Sequence, residues 1–282
     1  MFNDPLPYFP PRGKEFIISP MGETGKEVNF RPGNDNIYIR FSLLKGFLTR
    51  IIFLIGFFSS LLDPAWSQSI NYQEIFGDNW KKALTFEREN KSWMEPLLAK
   101  SQISYPLAVA VIFPELVRYS ALRDKMEITL LKALYINLGD DYANFSIGQF
   151  QMKPSFAEMI REQVPSVIGR KSGIIFKSRS EYGDIKNFRK SIVADLEDPR
   201  TQFNYLIAFL KICEKKFKTN RKDDIDRMKF LATAYNYGIN KTADQIESMI
   251  DKKFFNTKLF KTENYSYADV SLCWYEQYLA GK

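Results

Sequence analysis

The 282-residue chain contains no histidine. That absence excludes Ser-His-Asp and Cys-His catalysis, His-ligated metal centres and His proton shuttles. Cysteine is nearly absent too: Cys213 and Cys273 are the only two, too few for a thiolate zinc site. Outside a reducing cytoplasm these two can pair, and two free buried thiols fit equally well. Catalysis, if there is any, falls to carboxylates, lysine, tyrosine or backbone groups, and no metal or other cofactor is expected. The chain also lacks a bilayer-length apolar run. Its longest candidate, Ile51 to Leu62, has 12 residues, against the ~20 that a spanning helix needs.

What is present is ordinary for a folded protein, with 45% hydrophobic and 26% charged residues. Six of the 13 prolines fall within residues 1–32, among turn pairs and without a sustained period. Such a segment buries too little apolar surface to offset its ordering entropy. Lys45 and Arg50 then precede the Ile51–Leu62 run, which is followed by Asp63-Pro64-Ala65-Trp66-Ser67. A basic start, a short apolar centre and an Ala-x-Ser site describe a secretory signal peptide. The expectation is therefore a disordered or non-native extension over 1–41, a signal peptide over 42–67 cleaved after Ser67, and one domain over 68–282. A membrane anchor over 43–62 is the alternative. Export to the periplasm or the cell exterior follows from the first reading.

The net charge is +7. Residues 1–67 hold seven basic and six acidic side chains, which leaves 33 basic and 27 acidic on the remainder, a net of +6. A modest positive charge suits an anionic polymer such as cell-wall glycan. No basic run with interleaved aromatics is present, so nucleic acid is not expected as a partner.

Beyond Tyr72 the apolar spacing is helical and period-2 alternation is scarce. Leu122, Met126, Leu130 and Leu134 form a stripe joined by Leu131 and Leu138, and Gly139 stops it. Pro154-Ser155 opens a helix through Phe156, Met159 and Ile160. Asp198-Pro199 is a capping carboxylate followed by a first-turn proline. Behind it come Phe203, Leu206, Ile207, Leu210, Ile212 and Cys213. Asp223-Asp224 heads a further helix, closed by Gly238. Residues 165–190, rich in Ser, Gly and Lys, read as a long loop or an irregular subdomain. The fold class is mostly α. The aromatic stretch Tyr265, Tyr267, Trp274, Tyr275 and Tyr278 either completes the core or lines a glycan groove, and the core is the preferred assignment.

Three short clusters carry chemistry. In Ala108-Val109-Ala110-Val111-Ile112-Phe113-Pro114-Glu115, a carboxylate follows an apolar run. Burial there raises a carboxyl pKa and suits a general acid, or Glu115 is simply the first polar residue at a helix end. In Ser146-Ile147-Gly148-Gln149-Phe150-Gln151-Met152-Lys153-Pro154, Gly148 permits close backbone approach and Gln151 offers a donor and an acceptor. In Ala234-Tyr235-Asn236-Tyr237-Gly238, a helix end presents a phenol and an amide, suited to sugar binding and equally to core and cap.

In this order the clusters resemble the soluble lytic transglycosylase and goose-type lysozyme family, which has a lysozyme-like α fold and cleaves peptidoglycan. Glu115 takes the place of the family's catalytic Glu. Gly148, Gln151, Met152 and Pro154 match its Gly-Leu-Met-Gln-apolar-x-Pro segment. Asp198-Pro199, with Gln202, Phe203, Phe209 and Leu210, resembles the helix before the last motif, and Ala234-Tyr235-Asn236-Tyr237-Gly238 matches that motif fully. The similarity spans about 106–240. Leu116 stands where the family has Ser, Gln149-Phe150 replaces Leu-Met, and a whole helix is inserted between Glu115 and Gly148. The resemblance implies a single lysozyme-like catalytic domain, acting as a monomer on peptidoglycan glycan strands, alone or within a cell-envelope complex. It implies Glu115 as the one acid and base, with Gly148, Gln151, Tyr235 and Asn236 binding sugar or positioning Glu115. A catalytically inert glycan-binding or scaffolding protein of the same fold is the alternative. So is an exported helical protein that binds a protein partner.

Overall fold

Helix α3, Tyr105–Ala121, is surrounded by other helices. Its stretch Ala108 to Phe113 is fully buried, as an all-round hydrophobic helix must be in water. The computed structural model describes residues 70–121, 125–169, 176–219, 223–256 and 263–281. These belong to one compact unit, Ile70–Lys282. The expected extension over 1–41 and signal peptide over 42–67 lie outside the described residues. Among those described, no helix is long and apolar enough to cross a membrane.

The chain is mostly α, as its spacing predicts. Before α3 come α1, Tyr72–Phe76, and α2, Asp78–Lys100; after it come α4, Lys125–Leu138, and α5, Pro154–Gln163. A π-turn at Val164–Ile168 and a 3₁₀ turn at Arg179–Glu181 lead to α6, Ile185–Glu197. Then follow α7, Pro199–Phe217; α8, Asp224–Tyr237; and α9, Ala243–Glu247. A short antiparallel pair, β1 (Lys253–Phe255) and β2 (Tyr265–Ser266), sets Lys253 opposite Ser266 and Phe255 opposite Tyr265. Helix α10, Tyr267–Ala280, closes the order.

Helices α2, α8 and α10 pack on α3, and α8 also packs on α10. The aromatic C-terminal stretch supplies much of that contact. Trp274 stacks on Phe113 with centroids 5.4 Å apart, and Phe113 meets Trp80 of α2 at 4.7 Å. The assignment of these aromatics to the core holds: Tyr267, Trp274 and Tyr275 are buried, Tyr265 and Tyr278 half-buried. A second layer of α5, α6 and α7 is pinned by Arg161, a buried cation. It donates to the Tyr205 and Tyr182 hydroxyls at 2.6 and 3.1 Å, to Ser191 at 3.0 Å and to Asp195 at 2.6 Å. A charge taken out of water needs such a full set of partners.

Caps fall where the sequence places them. Asp198 accepts from the Thr201 N–H at 2.8 Å and Asp223 from Asp226 N–H at 2.8 Å. Gly139 and Gly238 stop α4 and α8 at φ of 104° and 123°. One expectation is refined and one needs correction. The leucines of α4 divide: Leu131 and Leu134 pack against the core, Leu130 is 62% exposed and Leu138 49%, and Tyr135 is fully buried. Tyr135 is covered because its hydroxyl reaches Glu158 of α5 while its ring packs under Arg189 of α6. Residues 165–190 are not all irregular. Asp184 caps α6, whose Phe188, Ile192, Val193 and Leu196 are buried. Cys213 is buried and Cys273 half-buried, and no disulfide joins them.

Candidate active site

Pro114 lies within α3 and has no N–H to give, so the Ala110 carbonyl loses its usual donor one turn back. The next carbonyl, Val111, accepts from the Tyr267 hydroxyl of α10 at 3.1 Å. One residue after the proline, Glu115 points out of the core into a cleft of about 610 Å³. It is not a polar residue at a helix end. Six further helical residues follow it, and it is 3% exposed.

Four segments line the cleft. Glu115 and Arg118 come from α3, Gln151 and Lys153 among others from the loop before α5, Phe156 and its neighbours from α5, and Tyr235 and Asn236 from the end of α8. The structure therefore brings together Glu115, Gln151, Tyr235 and Asn236, the residues picked out from the three clusters. Gly148 is the exception and does not line the cleft.

The loop is built by unusual backbone. Ile147 and Met152 pair as an isolated antiparallel bridge, and the turn between them has φ of 69° at Gly148 and 49° at Gln151. A Cβ on Gly148 would stand 2.2 Å from the Leu196 carbonyl oxygen. Gly148 thus acts by letting the loop press against α6, not by touching a ligand. Gln151, a non-glycine residue in the left-handed region, is held there partly by its own amide, which donates to the Gly148 carbonyl at 2.9 Å.

Gln202 of α7 is fully buried beneath the loop. Its amide nitrogen donates to the Ile147 carbonyl at 2.7 Å, and its oxygen accepts from the Phe150 N–H at 3.2 Å. From the other side Tyr235 donates its hydroxyl to the Phe150 carbonyl at 2.8 Å. Its ring meets Phe156 and Phe209 edge-on at 5.5 and 5.4 Å. Tyr235 is accordingly a wall of the cleft and a strut for the loop, with its hydroxyl already committed.

Arg118, one turn after Glu115, was not marked by any of the clusters. Its Nη1 donates to Glu115 Oε1 at 2.8 Å and Oε2 at 2.9 Å, while the guanidinium lies 4.6 Å over the Phe255 ring of β1. The i,i+3 spacing of opposite charges on an expected helix was the available signal. Tyr267 and Phe255 had none, since both come from more than a hundred residues away.

Electrostatics at Glu115 are a contest. Burial is the largest influence and pushes its carboxyl above the ordinary carboxylate range. The Arg118 charge and hydrogen bonds, the Tyr267 hydroxyl and Lys153 pull it down without cancelling that rise. Burial, then the Glu115 charge, push the Tyr235 and Tyr267 hydroxyls up, so both stay protonated donors. Among the described residues Glu115 is the only acidic side chain lining the cleft. Such a group can release a proton to a bound oxygen and take one back. Comparison of the chain with family models, with curated proteins and with solved structures yields no match.

Proposed function

We propose that the protein is a lysozyme-like peptidoglycan-cleaving enzyme, a lytic transglycosylase, with Glu115 as its only acid and base. One observation carries the reading: a single buried carboxyl, held high in pKa, opens into a cleft lined by the residues of all three clusters. Most glycosidases set two carboxylates across the scissile bond. A lone carboxyl requires the substrate to stabilise its own positive charge, which the 2-acetamido group of N-acetylmuramic acid does.

The steps follow from that. Protonated Glu115 gives its proton to the glycosidic oxygen as the bond to the anomeric carbon breaks, and the acetamido oxygen closes on that carbon. The carboxylate then removes a proton from the sugar's 6-hydroxyl, which attacks the same carbon and releases the acetamido group. The product is a 1,6-anhydro sugar, and water in place of the 6-hydroxyl gives hydrolysis. Asn236 and Gln151 stand along the cleft to orient the sugar. The burial of Glu115 favours the neutral acid that the first step needs. Export through the segment 42–67 agrees with a substrate outside the membrane.

A second reading has its own observation. The Arg118 pairing favours the ionised form of Glu115, as suits an inert glycan-binding module. Mass spectrometry of soluble products after incubation with purified peptidoglycan separates the two. Anhydro-muropeptides support the transglycosylase, and reducing-end fragments support hydrolysis at the same site. A folded protein that binds peptidoglycan and releases nothing is the inert module.

A further inference from the structure

Arg118 favours the form of Glu115 that is the wrong one for an acid. One guanidinium nitrogen reaches both carboxylate oxygens, at 2.8 and 2.9 Å, and a charge-assisted pair of this kind stabilises the ionised carboxyl. Burial alone favours the neutral carboxyl. The two influences are separable, because they reside in different parts of the structure. The pocket around Glu115 is fixed by α3, α8 and α10. Arg118, by contrast, lines the cleft, is partly exposed, and covers one face of the buried Phe255 ring. An arginine at the cleft wall can turn toward a ligand by leaving that one ring face, with the helices around Glu115 in place.

We infer that Arg118 is a displaceable counter-charge: a carboxylate carried by the glycan draws its guanidinium away from Glu115, and the carboxyl left behind takes a proton from solvent. The inference rests on the glycan-cleaving reading and deepens it, making Arg118 a positioning residue that arms the acid only when a carboxylated sugar is seated. Charge stays balanced, since the ligand's carboxylate replaces Glu115 as the partner of Arg118 and Glu115 becomes neutral. A buried carboxylate stripped of its counter-ion does not stay ionised. The other groups facing Glu115 do not substitute for the arginine. Tyr267 from α10 and Tyr235 from α8 are neutral phenols, and among the described residues Lys153, from the loop before α5, is the one other cation lining the cleft.

The test is proton uptake on binding, read by titration calorimetry at neutral pH in two buffers of different ionisation enthalpy. The full chain is titrated with the N-acetylglucosamine–N-acetylmuramic acid disaccharide, which carries a carboxylate, and with N,N′-diacetylchitobiose, which does not. The expected result is uptake approaching one proton with the first and none with the second. Glu115→Gln should bind the carboxylated disaccharide without uptake. Arg118→Met should lose the uptake and bind that disaccharide about ten-fold more weakly, the equivalent of one hydrogen bond to a charged group. If that variant fails to fold, Arg118→Lys is read instead, and it should show reduced uptake. Binding of the carboxylated disaccharide without uptake overturns the inference. So does equal uptake with both sugars, or loss of the uptake in Lys153→Met with Arg118→Met unaffected. Failure of both sugars to bind a folded protein overturns it as well. Release of products from peptidoglycan, measured separately, shows whether the glycan-cleaving reading survives any of these.

Discussion

Glu115 occupies surroundings that disfavour its own charge, and this has kinetic and thermodynamic consequences at the scale of one residue. Glu115→Gln keeps the size and one oxygen acceptor for Arg118 and removes the transferable proton. Product release from peptidoglycan should fall by ~10²–10⁴-fold while the far-ultraviolet circular dichroism is unchanged. Full activity in that variant removes Glu115 from the mechanism. The same substitution should alter how stability depends on pH. Because the folded-state pKa is raised, the native chain binds more protons than the unfolded one between the ordinary carboxylate value and the folded value. Stability from this group is therefore present below the ordinary value and is lost as pH rises through that window. The melting temperature of Glu115→Gln minus that of the wild type should thus grow as pH rises above the ordinary carboxylate value. A flat difference would mean that Glu115 ionises as it does in the unfolded chain.

At the scale of elements, the loop between α4 and α5 is held from beneath by Gln202 and from the cleft side by Tyr235. Gln202→Leu keeps the volume and strands the buried Phe150 N–H, at a cost of about 1–3 kcal/mol, while the Ile147 carbonyl keeps its bond from the Met152 N–H. Equilibrium denaturation in urea should show that loss. Tyr235→Phe, which removes only the bond to the Phe150 carbonyl, should cost about 1 kcal/mol. Punctuation in this region was legible, because Gly148, Pro154, Asp198, Pro199 and Gly238 announce turns and caps through purely local chemistry. The clasp was not, since Gln202 meets Ile147 and Phe150 across more than fifty residues and local spacing carries no record of it. Helix α6 was hidden differently. Its apolar residues recur at helical spacing from Phe188, but the Ser, Gly and Lys content of the preceding stretch obscured where it starts. In α4 the leucine spacing marked the helix without saying which leucines are covered: Leu131 and Leu134 pack on the core while Leu130 and Leu138 face outward.

Over the whole molecule, the excess of positive charge beyond residue 67 should express itself as sensitivity to salt. Binding to sedimented peptidoglycan should weaken steadily from about 50 mM to about 500 mM sodium chloride, as screening shortens the reach of that field. Salt-independent binding would assign the attachment to contacts within the cleft alone. The cleft residues were read from three separate stretches of sequence, and only the fold joins them; how Arg118, Phe255 and Tyr267 close the arrangement appears at this scale alone. Last, there is the position of α3, enclosed by α2, α8 and α10. Protein segments open individually, and those with the most buried surroundings open only with global unfolding. Amides of Val109 to Phe113 should therefore be among the slowest to exchange with deuterium. The chemistry would then be moored to the last part of the molecule to let go. Heating would leave the acid in place until the fold as a whole gives way, and the loss of catalysis would coincide with melting rather than precede it.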